Sequence, residues 1–203
     1  MAILESTLPE DAVFGFSTTR HGPIRAEDFE TWEQDPDNPM ELLEGWLLPM
    51  SPGTQVTGRR SARLAAALLP LVDDRGWDLS QDSRHRLPWP ANTVVYPDLV
   101  IHCVNEAGYL PGTETVGRVP ELVIELLSPA TAGRDRGPDG AKFLAYQESG
   151  VSEYYYTWPD GREAAGFRLE NGVFVPIEPN AEGFFASPLL GTRLRLVPAA
   201  VEG

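Results

Sequence analysis

Three short runs of β-branched and aromatic residues, with one helix between the second and third, limit this chain's fold more than any other feature. Between Asn92 and Val104 the string TVVYPDLVIHCV reads as a strand, and Pro97 within it points to an edge or a bulge. A second strand covers Glu121–Ser128 and is ended by Pro129. A third, EYYYTW, covers Glu153–Trp158. Between the last two, the loop TAGRDRGPDG leads into a helix predicted from about Gly140 to Ser149 and stopped by Gly150.

The flanking segments fill in around these strands. AEDFETWEQ, Ala26–Gln34, reads as a helix ending before the breakers Asp35–Pro39. MELLEGWLLPMSP follows as a helix end or turn running into a strand, broken at Gly45. Thr57–Asp74 places Leu64, Leu68, Leu71 and Val72 at helical spacing, and Pro70 is expected to kink or shorten that helix. Phe167–Ile177 carries the Asn171-Gly172 hairpin signal. The order implies an α/β sandwich: a mixed β-sheet core flanked by helices, with a C-terminal β-hairpin. Residues 1–22 read as an arm of uncertain order, and residues 23–203 as the single domain that 203 residues would form.

Composition narrows the chemistry. The longest apolar stretches are too short to span a bilayer and the first residues lack a signal-peptide pattern, so a cytoplasmic protein with no membrane partner is expected. Cys103 is the only cysteine, which excludes an internal disulfide; His21, His85 and His102 have no zinc-ligand spacing. Any metal would be a hard ion held by oxygen. A formal charge of -14 argues against coating nucleic acid by bulk electrostatics, although a local basic lip around an acidic site remains compatible with it.

Two acids interrupt the apolar strands. Alternation puts Asp98 on the face of Tyr96, Val100 and His102; Glu125 sits among the aliphatics of LVIELLS. A buried carboxylate needs a partner, and two on neighbouring strands form an oxygen site suited to Mg²⁺; ion pairs with arginine are the competing explanation. Of 16 basic residues only Lys142 is a lysine, the other fifteen being arginine. Either that position needs an ammonium, whose pKa can shift, or arginine has replaced every other lysine and Lys142 lies on a solvated helix. His102 could approach Asp98, although a strand histidine more often packs. Arg134, Arg136, Arg84 and Arg86 could grip phosphates, with solvated surface the default. Ser51 and Ser128 lack a histidine and acid at recognisable spacing for a serine hydrolase.

YPDLVIHC, then PELVIELLSPAT, a charged loop, and KFLAYQESGVSEYYYTW together resemble the Uma-two (Uma2) family of restriction endonucleases, within the PD-(D/E)XK nuclease superfamily. EDFETWEQ, ELLEGWLLPMSP and the closing SPLLGTRLRLVP look like the same family's ends, so the resemblance runs from Pro23 to Pro198. It implies a restriction-endonuclease-like fold, with Asp98 and Glu125 as catalytic metal-binding acids. Two positions after Glu125 stands Leu127 rather than lysine, and Lys142, on the following helix, matches the displaced lysine. Glu41 matches the acid opening an early ExxxG-like motif and would complete the catalytic set; a solvated helix acid is the alternative. The stretch from Arg134 to Ala141 is longer than the family's usual spacing.

The implied activity is Mg²⁺- or Mn²⁺-dependent hydrolysis of phosphodiester bonds in DNA, with a homodimer suited to cutting both strands. A catalytically silent nuclease fold that binds nucleic acid or a protein partner is the rival.

Overall fold

The computed structural model describes residues 23–51, 54–105 and 108–196, so the arm of residues 1–22 lies outside the described residues. Two sheets share one core. The first has five strands in the order β2-β1-β5-β4-β7: β1 (Met40–Leu43), β2 (Trp46–Pro49), β4 (Arg84–Leu87), β5 (Thr93–Val95) and β7 (Thr115–Val116). The second has six in the order β11-β10-β9-β8-β6-β3: β3 (Asp78–Ser80), β6 (Leu99–His102), β8 (Leu122–Leu126), β9 (Glu153–Thr157), β10 (Ala164–Glu170) and β11 (Val173–Pro176). The β8–β9 and β4–β7 pairs are parallel and the other ladders antiparallel, which makes both sheets mixed in the way the element order implied. A separate hairpin, β12 (Phe185–Ser187) and β13 (Thr192–Leu194), closes the described chain.

Helices complete the layers. α1 (Ala26–Glu30) covers the outer face of the five-stranded sheet, where Ala26 and Phe29 pack on Leu42 and Val94. α4 (Ala141–Ser149) is packed between the sheets: Phe143, Ala145 and Tyr146 share a core with Leu43, Leu87 and Val95 of one sheet and with Val100, Val123 and Tyr154 of the other. α2 (Gln55–Asp73) and the closing hairpin cover the far face of the six-stranded sheet through Leu68, Val72, Leu99, Ile101, Ile124, Phe185 and Leu194. None of the described helices is long and apolar enough to cross a membrane.

Sequence and structure part at four places. MELLEGWLLP does turn at Gly45 into a strand, but what precedes the turn is strand β1 and not a helix end: Glu44 and Gly45 both take positive φ, 53° and 84°, and close a two-residue turn whose twist suits paired strands. The run from Asn92 to Val104 is two strands in different sheets. Pro97, unable to donate to a ladder, stands between β5 and β6 and lets the chain cross from one sheet to the other. The first helix stops at Glu30 instead of Gln34. Pro70 neither ends nor shortens α2, which runs three residues beyond it, since a proline in the last turn forfeits a single backbone bond. Gly150, at φ 90°, ends α4 as the sequence led one to expect.

Candidate active site

Alternation along each strand decides which acids reach the space between the sheets. In β8, Glu125 shares a face with Val123, and in β1, Glu41 shares one with Leu43; both faces look toward α4. Asp98 follows the crossover proline and stands just before β6. The loop expected after Pro129 contains a short helix, α3 (Ala132–Asp135), which turns Arg134 and Asp135 inward. These residues and Lys142 line a cavity of about 290 Å³, whose wall also includes Thr57, Gly58 and Ser61 of α2.

Lys142 holds the cluster together. It is 3% exposed, and its Nζ lies 2.8 Å from Glu125 Oε1, 2.9 Å from Glu41 Oε1 and 3.7 Å from Asp135 Oδ1. A lysine left by codon usage on a solvated helix is therefore excluded. Burial disfavours its charge, but the carboxylates of Glu125, Glu41 and Asp135 outweigh that and hold the ammonium well above the ordinary lysine range. It consequently acts as a fixed positive charge and not as a group that trades its proton.

Each acid has a defined anchor. Glu125 Oε1 accepts from the Tyr146 hydroxyl at 2.7 Å. Asp98 Oδ2 accepts from the Leu126 backbone N–H at 2.7 Å, and Glu41 Oε1 from that of Tyr96 at 2.9 Å. Glu41 is thus a buried strand acid, not a solvated helix one. Burial, opposed by the Lys142 ammonium and reinforced by Asp98 and Glu41, raises the Glu125 carboxyl; burial raises Asp98 to about 6 and Asp135 to about 6. Five carboxyl groups, Glu41, Asp82, Asp98, Glu125 and Asp135, share the cavity wall with two cations, Lys142 and Arg134, so a further positive charge would relieve the repulsion.

Other sequence candidates go elsewhere. His102 does not meet Asp98: its Nε2 lies 3.1 Å from Nε2 of His85, and the stacked pair is absent from the cavity wall. Arg86 grips Glu30, Arg84 donates to Tyr96 and to the Glu30 carbonyl, and Arg136 pairs with Glu163. Ser51 and Ser128 line the cavity with no histidine beside them. Tyr154, Tyr155 and Tyr156 are buried core residues. Asp82 and Asp135 are the cavity acids that sequence reasoning missed; for Asp135 only its place in a charged loop seven residues before Lys142 could have drawn notice.

The family model described as "Putative restriction endonuclease" (Uma2) matches residues 26–197. The chain belongs to the Uma2 family. A solved structure, described as a "putative nuclease belonging to DUF820" from Anabaena variabilis ATCC 29413, is similar with a TM-score of 0.66 at 15% identity. The match covers 86% of this chain and 96% of that one. At that identity the likeness carries the fold alone. No curated protein matches the sequence. The Uma2 match takes in every residue of the cavity wall, from Pro39 to Lys142.

Proposed function

We propose that this Uma2 protein is a Mg²⁺-dependent endonuclease that hydrolyses phosphodiester bonds in DNA, with Asp98 and Glu125 holding the ion and Lys142 and Glu41 completing the catalytic set. The observation that carries this reading is the cavity lined by five carboxyl groups, three of which lie within 3.7 Å of one buried lysine. The donor set fits a hard cation: every candidate ligand is a carboxylate oxygen, and Glu41 Oε2 and Asp135 Oδ1 are buried there without a hydrogen-bond partner. Among the described residues no group of three or more His, Cys, Asp or Glu is arranged to hold a metal. Two protein carboxylates therefore suffice in this reading, with waters and substrate oxygens filling the remaining positions, as is common for Mg²⁺.

When bound, the ion supplies Lewis-acid polarisation of the phosphate and lowers the pKa of water. The chain does the rest. Tyr146 and the Leu126 N–H fix the two ligand carboxylates. Lys142 places a permanent positive charge at the cavity floor, where it offsets charge developing on the phosphate oxygens and orients the attacking water. Glu41 and Asp135 hold that ammonium in place.

A nuclease assay on plasmid, single-stranded DNA and RNA with Mg²⁺, Mn²⁺ or EDTA tests the activity: metal-dependent cleavage of DNA is expected. Calorimetry tests the ligands. Mn²⁺ affinity should collapse in Asp98→Asn and Glu125→Gln, and unchanged affinity in folded variants would reject the assignment. A catalytically silent binder is favoured instead by the -14 charge and by Arg84, Arg86 and Arg136 being engaged within the chain. In our reading the enzyme works in the cytoplasm as a homodimer, for which sedimentation is the direct measurement.

A further inference from the structure

Six buried side-chain polar atoms among the described residues lack a hydrogen-bond partner, and three of them, Glu41 Oε2, Arg134 Nε and Asp135 Oδ1, belong to residues lining the acidic cavity. Such orphans are rare in folded proteins and call for an explanation; a polar ligand is one that fits three at one place.

Arg134 is the informative member. Its Nη1 donates to the Pro49 carbonyl at 2.9 Å; its Nη2 lies 3.2 Å from Glu41 Oε2 without making a hydrogen bond; its Nε is 3.7 Å from Asp135 Oδ1. One of five N–H donors is in use. Arg86 shows what a structural arginine looks like here: two nitrogens on the two oxygens of Glu30, at 2.5 and 2.7 Å. Across the cavity α2 presents its N-terminal turns through Thr57 and Gly58, and a Cβ at Gly58 would meet nothing within 4 Å, so the space between is open. The carboxylates offer a cation its ligands, while Arg134 and the positive end of α2 offer an anion its partners.

We infer that Arg134 is a catalytic residue whose guanidinium takes a non-bridging oxygen of a phosphodiester in this cavity. The identity of that ligand rests on the nuclease reading. The contact, guanidinium on phosphate, is planar and directional, which suits arginine and not lysine.

The test follows the Arg134 Nε–H resonance in ¹⁵N-labelled full-length protein, assigned by its loss in Arg134→Lys, during titration with inorganic phosphate and then with a thymidine dinucleotide. The Arg134 signal should move saturably and the Arg86 signal should stay. In parallel, Arg134→Gln and Arg134→Lys should lower cleavage on the order of 10²-fold at unchanged Mn²⁺ affinity, whereas Arg136→Gln should cleave as wild type. An unmoved Arg134 signal with both anions overturns the contact, as does wild-type cleavage by Arg134→Gln. A moving signal in a protein that cuts neither DNA nor RNA keeps the contact and rejects the nuclease. Cleavage with an unmoved signal does the reverse.

Discussion

Glu125 and Glu153 lie on paired strands of one sheet, and each is 2% exposed, yet they face opposite sides and are treated in opposite ways. Glu153 looks toward α2 and the closing hairpin. Its Oε2 accepts from the hydroxyls of Tyr155 at 2.8 Å and Ser187 at 2.6 Å, and its Oε1 from the Leu189 N–H at 2.7 Å, so neutral donors satisfy it and it ties the hairpin to the sheet. Glu125 looks toward α4 and shares a cavity with four more carboxyl groups. A buried acid saturated by neutral donors is cement. One held by a lysine and a tyrosine on a single oxygen, among like charges and beside a cavity, has a place for a further cation.

The largest effect that separates the two regions should come from Lys142→Ala. Removing one cation from among three carboxylates leaves buried charge uncompensated, at a cost of about 3–5 kcal/mol, measurable by denaturant unfolding. Cleavage should vanish as well. Lys142→Arg should also cost stability, because a larger planar head must fit a site that is 3% exposed, and cleavage should fall steeply. A fully active, fully stable Lys142→Arg would break the contrast.

Next come the glutamates themselves. Glu153→Gln should lose about 2–3 kcal/mol, since charge-assisted bonds to three donors are weakened, while activity per folded molecule is kept. Glu125→Gln should stay within about 1 kcal/mol of wild type, because it removes a like charge together with an ion pair, and should be inactive. The reverse pattern would mean that the regions had been assigned the wrong way round.

A third buried polar group lies outside both regions and calibrates them. Burial holds His85 down at about 4 against 6.5 for a free histidine, with His102 on one side and Glu121 beyond it. Between those values the unfolded chain binds a proton that the fold refuses. This contribution is therefore fully present above about pH 6.5 and falls as pH drops, the loss reaching ~2 kcal/mol at pH 5 and levelling off below about 4. Unfolding of wild type and His85→Gln across that range should diverge by this amount, and parallel curves would reject it. Smallest of all, Gly58→Ala should stabilise α2 by about 0.5–1 kcal/mol, as open space surrounds the added methyl group.

Parts of this contrast were legible in the sequence, and the reason differs from residue to residue. Glu125 stood out because nothing but aliphatics surrounds it, and Lys142 because it is unique. α4 and the Asn171-Gly172 hairpin carried their own stop and turn signals. The break at Gly45 was visible but the hairpin was not, since glutamate rarely adopts the positive φ that Glu44 takes and the pairing of β1 with β2 has to impose it. β3, β7, β12 and β13 have three residues or fewer, too short for alternation to show. Arg134 could be named only as one of four arginines able to grip phosphate, and Asp135 was concealed, because their string, RDRGPDG, reads as solvated loop until α3 folds it inward.

The crossover at Pro97 has a last consequence. The chain changes sheets there, which sets Asp98 at the seam between the sheet that holds Glu41 and the sheet that holds Glu125. The cavity is thus a coincidence detector for folding: neither half of the molecule owns a complete set of groups. Lys142 also leaves the ribosome after all three acids, so a nascent or half-folded chain would be unarmed, and hydrolytic power would arrive only with the finished structure.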